Sequence, residues 1–311
     1  MTLIRNTLIA AALSFCLSTA SAQTATPPKA NQAKLDIAKL QLASVNAAVG
    51  GVVEDTPLYM KNADRMVPVA SITKLMMAMV ILDADQPLDE WLTIVAREHD
   101  VLKNAYSRIR IGSRLTRSAL LRIALMSSEN LAAHVLASHY PGGRNAFVTA
   151  MNEKAVALGM TQTRFVDPSG LSPDNRSTAA DLLKMVKAAY DYAPIREYST
   201  TRQYTARFRG PRYTLGYGNT NPLVSGSRWD VALSKTGYLT ESGRCLVMIA
   251  NMNGQPIAVV LLDSLGTRTP IGDVGRVRQW LTTGASGAIA GAAREYERRR
   301  SAEYEQASAA D

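Results

Sequence analysis

The hydrophobic positions of this chain change texture twice. Over residues 42–68, LASVNAAVGGVVEDTPLYMKNADRMVP, short apolar runs are broken by Gly50-Gly51 and by Asp55-Thr56-Pro57. Such runs bounded by turn residues predict a pair of strands. From Ser71 a long apolar run begins, and between Leu88 and about Ala193 the apolar residues recur at helical spacing. SALLRIALMSSENLAAHVLASHY and TAADLLKMVKAAYDYA are the clearest cases. After Tyr213 the strand texture returns in Trp229–Tyr238, Arg244–Asn251 and Ile257–Asp263. Glu241-Ser242-Gly243 and Asn253-Gly254 separate these strands as turns, the second a good hairpin signal. A last core helix is predicted near Val274–Leu281.

Strands therefore come from both ends of the chain, with helices between them. The simplest arrangement is one antiparallel sheet built from both chain ends with a helical subdomain inserted, an α+β fold. At 311 residues the chain can bury a sizeable core, and one domain over residues 41–284 accounts for the pattern. No internal repeat is visible. Residues 1–22, MTLIRNTLIAAALSFCLSTASA, read as a secretory signal peptide: basic Arg5, an apolar centre from Leu8 to Leu17, and small residues at Ala20-Ser21-Ala22. The apolar run is short for a membrane span, and Phe15 is too bulky for a lipoprotein site at Cys16. Residues 23–40 read as a flexible leader. Residues 285–311 read as a charged tail, a frayed or solvated helix whose mostly alanine apolar positions make a poor membrane anchor.

Charge and cysteines narrow the setting. The formal net charge is +9. An exported basic protein meets nucleic acid, anionic lipid or an acidic polymer, and outside the cell membrane a carboxylate-rich wall polymer is the natural partner. The arginines look scattered rather than interleaved with aromatics, so no nucleic-acid partner is expected. Cleavage of the signal peptide leaves Cys245 alone, without an internal disulfide partner. Its place in CLVMIA reads as a buried strand, hence a small core residue, with a catalytic thiol as the alternative.

The chemistry begins in VASITKLMMAMVIL, where Ser71 and Lys74 stand three apart at the head of the apolar run. On a helix they share a face, and the helix start offers unsatisfied N–H groups and a positive dipole end. Lys74 acts as a base only when neutral, and burial or a second nearby cation favours that state. The plain alternative is an N-cap serine beside a surface lysine. Two further pieces follow. In Ser128-Glu129-Asn130, on a turn between helices, Ser128 could relay a proton between Lys74 and a leaving group, and Asn130 could hold Lys74 and a substrate amide. In Lys235-Thr236-Gly237, on a late strand, Lys235 and Thr236 could bind a substrate carboxylate, and Gly237 would let substrate lie along the strand edge. The N–H of Tyr238 could join that of Ser71 as an oxyanion donor.

Ser-x-x-Lys, Ser-x-Asn and Lys-Thr-Gly in this order resemble the motif set of penicillin-binding proteins and class A β-lactamases. VPVASITKLMMAMVILDA, RIALMSSENLAAHVLA, MNEKAVALGMTQTRFVDPSGLSPDNRSTAADLLKM, NTNPLV and ALSKTGYLTESGRCLVM are similar to the low-molecular-mass serine D-alanyl-D-alanine peptidases. Within that group the chain most closely resembles the D-alanyl-D-alanine endopeptidases of the penicillin-binding protein 7 type. The resemblance spans about residues 43–281. It implies a penicillin-binding fold, a periplasmic peptidoglycan hydrolase without a cofactor, and an acyl-enzyme on Ser71. It also implies peptidoglycan stem peptides as substrate, β-lactams as covalent inhibitors, and other wall enzymes as possible partners. Glu129 stands where that motif set has aspartate, at a position whose side chain need not face the cleft. The Glu-x-x-Leu-Asn element of class A β-lactamases is absent; Phe165-Val-Asp-Pro-Ser-Gly-Leu stands in that region, so penicillin is expected to stay attached.

The choice of endopeptidase rests on access. Many related carboxypeptidases carry an extra β domain and an amphipathic anchor, for which there is little room after Gly237. A D-alanyl-D-alanine carboxypeptidase trimming pentapeptide stems is the main alternative. Less favoured are a β-lactamase, a non-catalytic penicillin-recognising module, and a Ser-His-Asp enzyme using His99, His134 or His139. No metal-ligand cluster is seen.

Overall fold

In chain order the strands and helices are β1 (Asn46–Gly51), β2 (Tyr59–Lys61), β3 (Val67–Pro68), α1 (Thr73–Asp83), β4 (Trp91–Thr93) and β5 (Arg114–Thr116). There follow α2 (Arg117–Met126), α3 (Asn130–Ser138), α4 (Gly143–Ala157), β6 (Arg176–Ser177), α5 (Ala179–Tyr190) and α6 (Ala193–Ser199). The last are β7 (Gln203–Phe208), β8 (Tyr213–Gly218), α7 (Pro222–Ser225), β9 (Val231–Leu239), β10 (Gly243–Met252), β11 (Gln255–Ser264), α8 (Arg268–Thr283) and α9 (Gly291–Ala310). This computed structural model describes residues 35–97 and 106–310. The signal peptide, residues 23–34 of the leader, and His99 lie outside the described residues.

One five-stranded sheet runs in the order β2-β1-β11-β10-β9. Its pairings β1–β11, β10–β11 and β9–β10 are all antiparallel. The N-terminal strand thus pairs with the last one, and α1–α7 lie between them in sequence, as the alternation of textures predicts. The expected α+β arrangement, one antiparallel sheet built from both chain ends with helices between, is the one observed. Asn253 and Gly254 both adopt positive φ, 55° and 81°, the conformation a two-residue hairpin turn of this hand requires.

The sheet is buried on both faces, which is why β10 and β11 read as almost continuous apolar runs. Cys245, Val247 and Ile249 point into the main core shared with α1–α6. Leu246, Met248 and Ala250 are equally buried but lie on the alternate face, where α8 packs. Every residue of α1 from Thr73 to Ile81 is buried. A helix that is apolar all round belongs at the centre of the protein, and α1 is that central helix.

Three elements differ from the sequence reading. The hairpin β7–β8 begins ten residues before the predicted return of strand texture. Its exposed side carries arginines and glycines in place of an apolar period. Helix α8 starts six residues early because Pro270, Gly272 and Gly275 mask its pattern. The charged tail is a docked helix: Asp263, buried at the end of β11, accepts hydrogen bonds from Tyr296 Oη (2.6 Å), Tyr304 Oη (2.9 Å) and Arg300 Nε (2.8 Å). These residues recur at four-residue intervals, so one face of α9 is fixed while the other stays solvated. At the other end, Trp280 Nε1 donates to the Asp36 carbonyl (2.9 Å) and Leu40 is buried, so the last residues of the predicted leader are tied to α8.

Candidate active site

The polypeptide enters α1 through a 3-10 turn, Ala70–Ile72, and Ser71 sits at its middle. This turn is strained and tightly held. Ala70 has φ +48°, a left-handed conformation that a residue with a Cβ adopts at some cost. A Cβ on Gly170 would stand 1.9 Å from the Ala70 carbonyl oxygen. A Cβ on Gly237 would stand 3.1 Å from both Ala70 Cβ and the Ser71 nitrogen. Two glycines from distant segments therefore let the serine turn be gripped from both sides. This gives Gly237 a second reason beyond access along the strand edge.

Lys74 lies one turn along α1 with its side chain fully buried. Its Nζ is 2.9 Å from Ser71 Oγ, 2.7 Å from Asn130 Oδ1 and 2.6 Å from the Ser169 carbonyl oxygen. As an ammonium it donates to all three. A neutral amine has only two N–H groups and one lone pair. Asn130 Oδ1 and the Ser169 carbonyl can only accept, so both N–H groups go to them. The lone pair then faces the one partner with a proton to give, the Ser71 hydroxyl. Burial lowers Lys74 to about 7, aided by the Arg97 charge and opposed by the Asp167 and Glu129 carboxylates. The second cation expected near Lys74 is thus Arg97 in addition to Lys235.

Ser128 lies in the turn between α2 and α3 with φ +61°. Its Oγ accepts from Lys235 Nζ at 3.0 Å, and Lys235 also donates to the Thr236 carbonyl at 2.7 Å. No hydrogen bond joins Ser128 to Lys74 here, so of the two lysines Lys235 is the one directly linked to it. Lys235 is also buried, and burial, then the charge of Lys74, lowers its proton affinity. Glu129 caps α3: its Oε1 accepts from the Leu131 N–H at 3.1 Å. An aspartate can do the same, which explains why the exchange in the motif is tolerable. Thr236 Oγ1 and Thr220 Oγ1 lie 2.6 Å apart, and the Thr220 N–H donates to the carbonyl of Met126, two residues before Ser128. Tyr238 is half exposed on β9, the outer strand of the sheet, with the Arg244 guanidinium 3.9 Å over its ring.

The structure thus gathers the predicted residues at one site: Ser71, Lys74 and Asn130 through hydrogen bonds, Ser128 through Lys235, and Gly237, between Thr236 and Tyr238 on β9, against the Ser71 nitrogen. It adds a loop that the sequence reading treated only as lacking a glutamate. Asp167 Oδ1 accepts from Ser169 N, Ser169 Oγ and Gly170 N, and its Oδ2 from Ser172 N. Asn175 ties the loop to α1 by donating to Thr73 Oγ1. These bonds aim the Ser169 carbonyl at Lys74 and set Gly170 against Ala70. The signal was the turn composition of Asp167-Pro168-Ser169-Gly170, which reads as a turn without saying what it touches.

Other nucleophile readings find no support in the geometry. Cys245 is buried and its thiol is pushed up to about 12 by burial, the inert state of a core cysteine. His139 Nδ1 bonds the Val135 carbonyl, and His134 lies against the Ala96 carbonyl.

A family model described as D-alanyl-D-alanine carboxypeptidase matches residues 34–266. The chain belongs to this peptidase family. A D-alanyl-D-alanine endopeptidase of Pseudomonas aeruginosa is 46% identical over 302 residues, covering 96% of each chain. One of Escherichia coli is 43% identical, covering 92% of this chain and 88% of that protein. The crystal structure of the Streptomyces K15 DD-transpeptidase superposes with a TM-score of 0.71 at 28% identity, over 78% of this chain and 98% of that one. The chain is thus a serine-type D-alanyl-D-alanine peptidase.

Proposed function

We propose that the protein is a periplasmic serine D,D-endopeptidase, inhibited by β-lactams, that hydrolyses D-Ala to diaminopimelate cross-links in peptidoglycan. The observation that carries this is the neutral-lysine geometry: the lone pair of Lys74 has Ser71 as its single proton source. The endopeptidase specificity is supported by the names of the Pseudomonas aeruginosa and Escherichia coli relatives.

In the proposed reaction Lys74 takes the Ser71 proton as Oγ attacks the carbonyl of the D-Ala residue. The N–H groups of Ser71 and Tyr238 receive the oxyanion. Lys235 and Thr236 hold the carboxylate next to the scissile bond, and Asn130 holds the substrate amide. Ser128 gives its hydroxyl proton to the departing amine and regains one from Lys74, directly or through Lys235, to which it is bonded; the proton taken from Ser71 is thereby passed on, and Lys74 is neutral again. Water then attacks the acyl-enzyme with Lys74 as base. The Asp167 and Glu129 carboxylates are already engaged with backbone N–H groups, so neither is placed to drive fast loss of a penicilloyl group. No helix among the described residues is long and apolar enough to cross a membrane, and the proposed periplasmic location rests on the N-terminal export signal.

A second reading, D-alanyl-D-alanine carboxypeptidase, is favoured by the description of the family model and by a Streptomyces K15 relative of that name, 31% identical over 237 residues. Digestion of purified muropeptides separates the two, with Ser71→Ala as control. Cross-linked dimers converted to monomers, with pentapeptides spared, is the expected result. Pentapeptides shortened by one D-Ala with dimers intact makes the protein a carboxypeptidase. Penicillin labelling that persists on Ser71→Ala removes that serine from the nucleophile's role.

A further inference from the structure

Arginines that look scattered in the sequence converge in space, far from the catalytic serine in the chain. A groove of about 560 Å³ is lined by Trp91, Arg207, Phe208, Arg209, Arg212 and Tyr213. Arg114 and Arg209 stand opposite each other across an antiparallel bridge, exchanging backbone bonds of 2.7 and 3.0 Å. Like charges placed directly opposite are unfavourable, yet both side chains converge on Trp91. The Arg209 guanidinium lies 3.9 Å over its ring, and Arg114 Nη2 donates to its carbonyl at 3.0 Å. Arg110 lies 4.9 Å over the Tyr213 ring, which Phe208 stacks at 4.5 Å. Rings under guanidiniums fix their planes and leave edge N–H groups free to donate.

Three partly buried arginines elsewhere have acids: Arg122 has Glu197, Arg276 has Asp273 and Arg300 has Asp263. Among the described residues none of Arg110, Arg114, Arg207, Arg209 and Arg212 has a carboxylate partner. Glu90, beside Trp91, is held by the buried Arg117. Arg207, Arg209 and Arg212 on the groove, with Arg110 and Arg114 held beside it and no carboxylate partner for any of the five among the described residues, favour an anion there.

We propose that this groove is an exosite for carboxylates of the wall polymer itself, engaging a second stem peptide of the substrate held in the cleft; this rests on the peptidoglycan reading above. The fold links the two places. Strand β8 runs from Tyr213 at the groove to Gly218, and Thr220 just beyond it meets Thr236. Arg108, 5.3 Å from the Tyr217 ring centre, continues the basic track between them. Seven extended residues span roughly 20–25 Å, a reach that a cross-linked network bridges and a single scissile bond does not. Two-point attachment raises the effective concentration of cross-links at the serine.

The test compares wild type with Arg207→Glu/Arg212→Glu, which reverses two exposed charges without touching the Trp91 stack, and with a further variant adding Arg209→Glu. Binding to isolated sacculi is measured in a Ser71→Ala background across a salt series, and hydrolysis of a soluble cross-linked dimer is measured with the active enzyme. The expected result is about a tenfold loss of sacculus affinity at low salt that fades at high salt, with dimer hydrolysis within twofold of wild type. Sacculi whose carboxylates have been amidated should bind wild type as weakly as the variant. Unchanged sacculus binding, equal binding to amidated sacculi, or an arginine-dependent affinity for single-stranded oligonucleotide alone would overturn the exosite. Failure of wild type to cut the dimer, with arginine-dependent sacculus binding intact, would instead refute the proposed reaction and leave the groove standing.

Discussion

The state of Lys74 can be read from the pH dependence of acylation. Its Nζ falls from an ordinary value of 10.5 to about 7 through burial, a difference worth about 5 kcal/mol between the charged and neutral forms. The base works only when neutral, so the acylation rate rises with pH and levels off above the folded pKa. With a pKa of about 7, roughly 9% of the enzyme is competent at pH 6 and roughly 91% at pH 8, about a tenfold rise followed by a plateau. An unperturbed lysine would instead give about a hundredfold rise over the same interval and keep climbing toward pH 10. The assay is the second-order rate of labelling by a fluorescent penicillin between pH 5.5 and 9.5, repeated with the soluble cross-linked dimer as natural substrate. Glu129→Gln supplies the internal control. The Glu129 charge raises Lys74, while the Gln carbonyl can still cap Leu131 N. Removing the charge should move the inflection to lower pH and make the variant faster than wild type at pH 6. A rate still rising in proportion to hydroxide at pH 9, or an inflection that Glu129→Gln moves upward, would refute the neutral-lysine argument.

Gly170→Ala should disable the serine turn from a loop that carries no catalytic group. The new Cβ meets the Ala70 carbonyl at 1.9 Å, at a backbone φ of +80°. Left-handed strain and overpacking together cost about 2–5 kcal/mol, read as a lower urea midpoint and loss of penicillin labelling; a variant that labels at the wild-type rate would show that the turn does not need this grip. Arg300→Ala removes the cation from buried Asp263 but leaves two tyrosine donors. The expected loss is about 2–3 kcal/mol in urea unfolding, against less than about 0.5 kcal/mol for the exposed ion-pair residue in Arg298→Ala. Equal effects of the two would mean that α9 is not docked through Asp263.

What the sequence made legible followed from patterns with one dominant cause. The strands at both ends and the central helix could be read because burial on both faces leaves apolar runs, and Asn253-Gly254 could be read because few residue pairs tolerate two positive φ angles. Ser71, Lys74, Ser128, Asn130, Lys235 and Thr236 stood out through spacing, though that alone did not decide which lysine Ser128 would meet. The parts that were not legible depend on partners far away in the chain. Asp263 gives no sign that Tyr296, Arg300 and Tyr304 will cover it, so the tail reads as solvated charge. Gly170 looks like any turn glycine until Ala70 lies against it, 100 residues away in the chain. The same holds for Arg114 and Arg209, whose like charges argue against pairing in any local reading and are opposed only because β5 meets the end of β7. Local rules fail here where tertiary contacts hold something locally unfavourable: a positive φ at Ala70, a fully buried lysine, two arginines directly opposite each other across a bridge. The first two surround the proposed nucleophile, where such a cost is expected of a site that must be ready to react. The third has no role in the serine chemistry, and a locally unfavourable charge cluster maintained away from the reaction is the physical ground for looking for its anion.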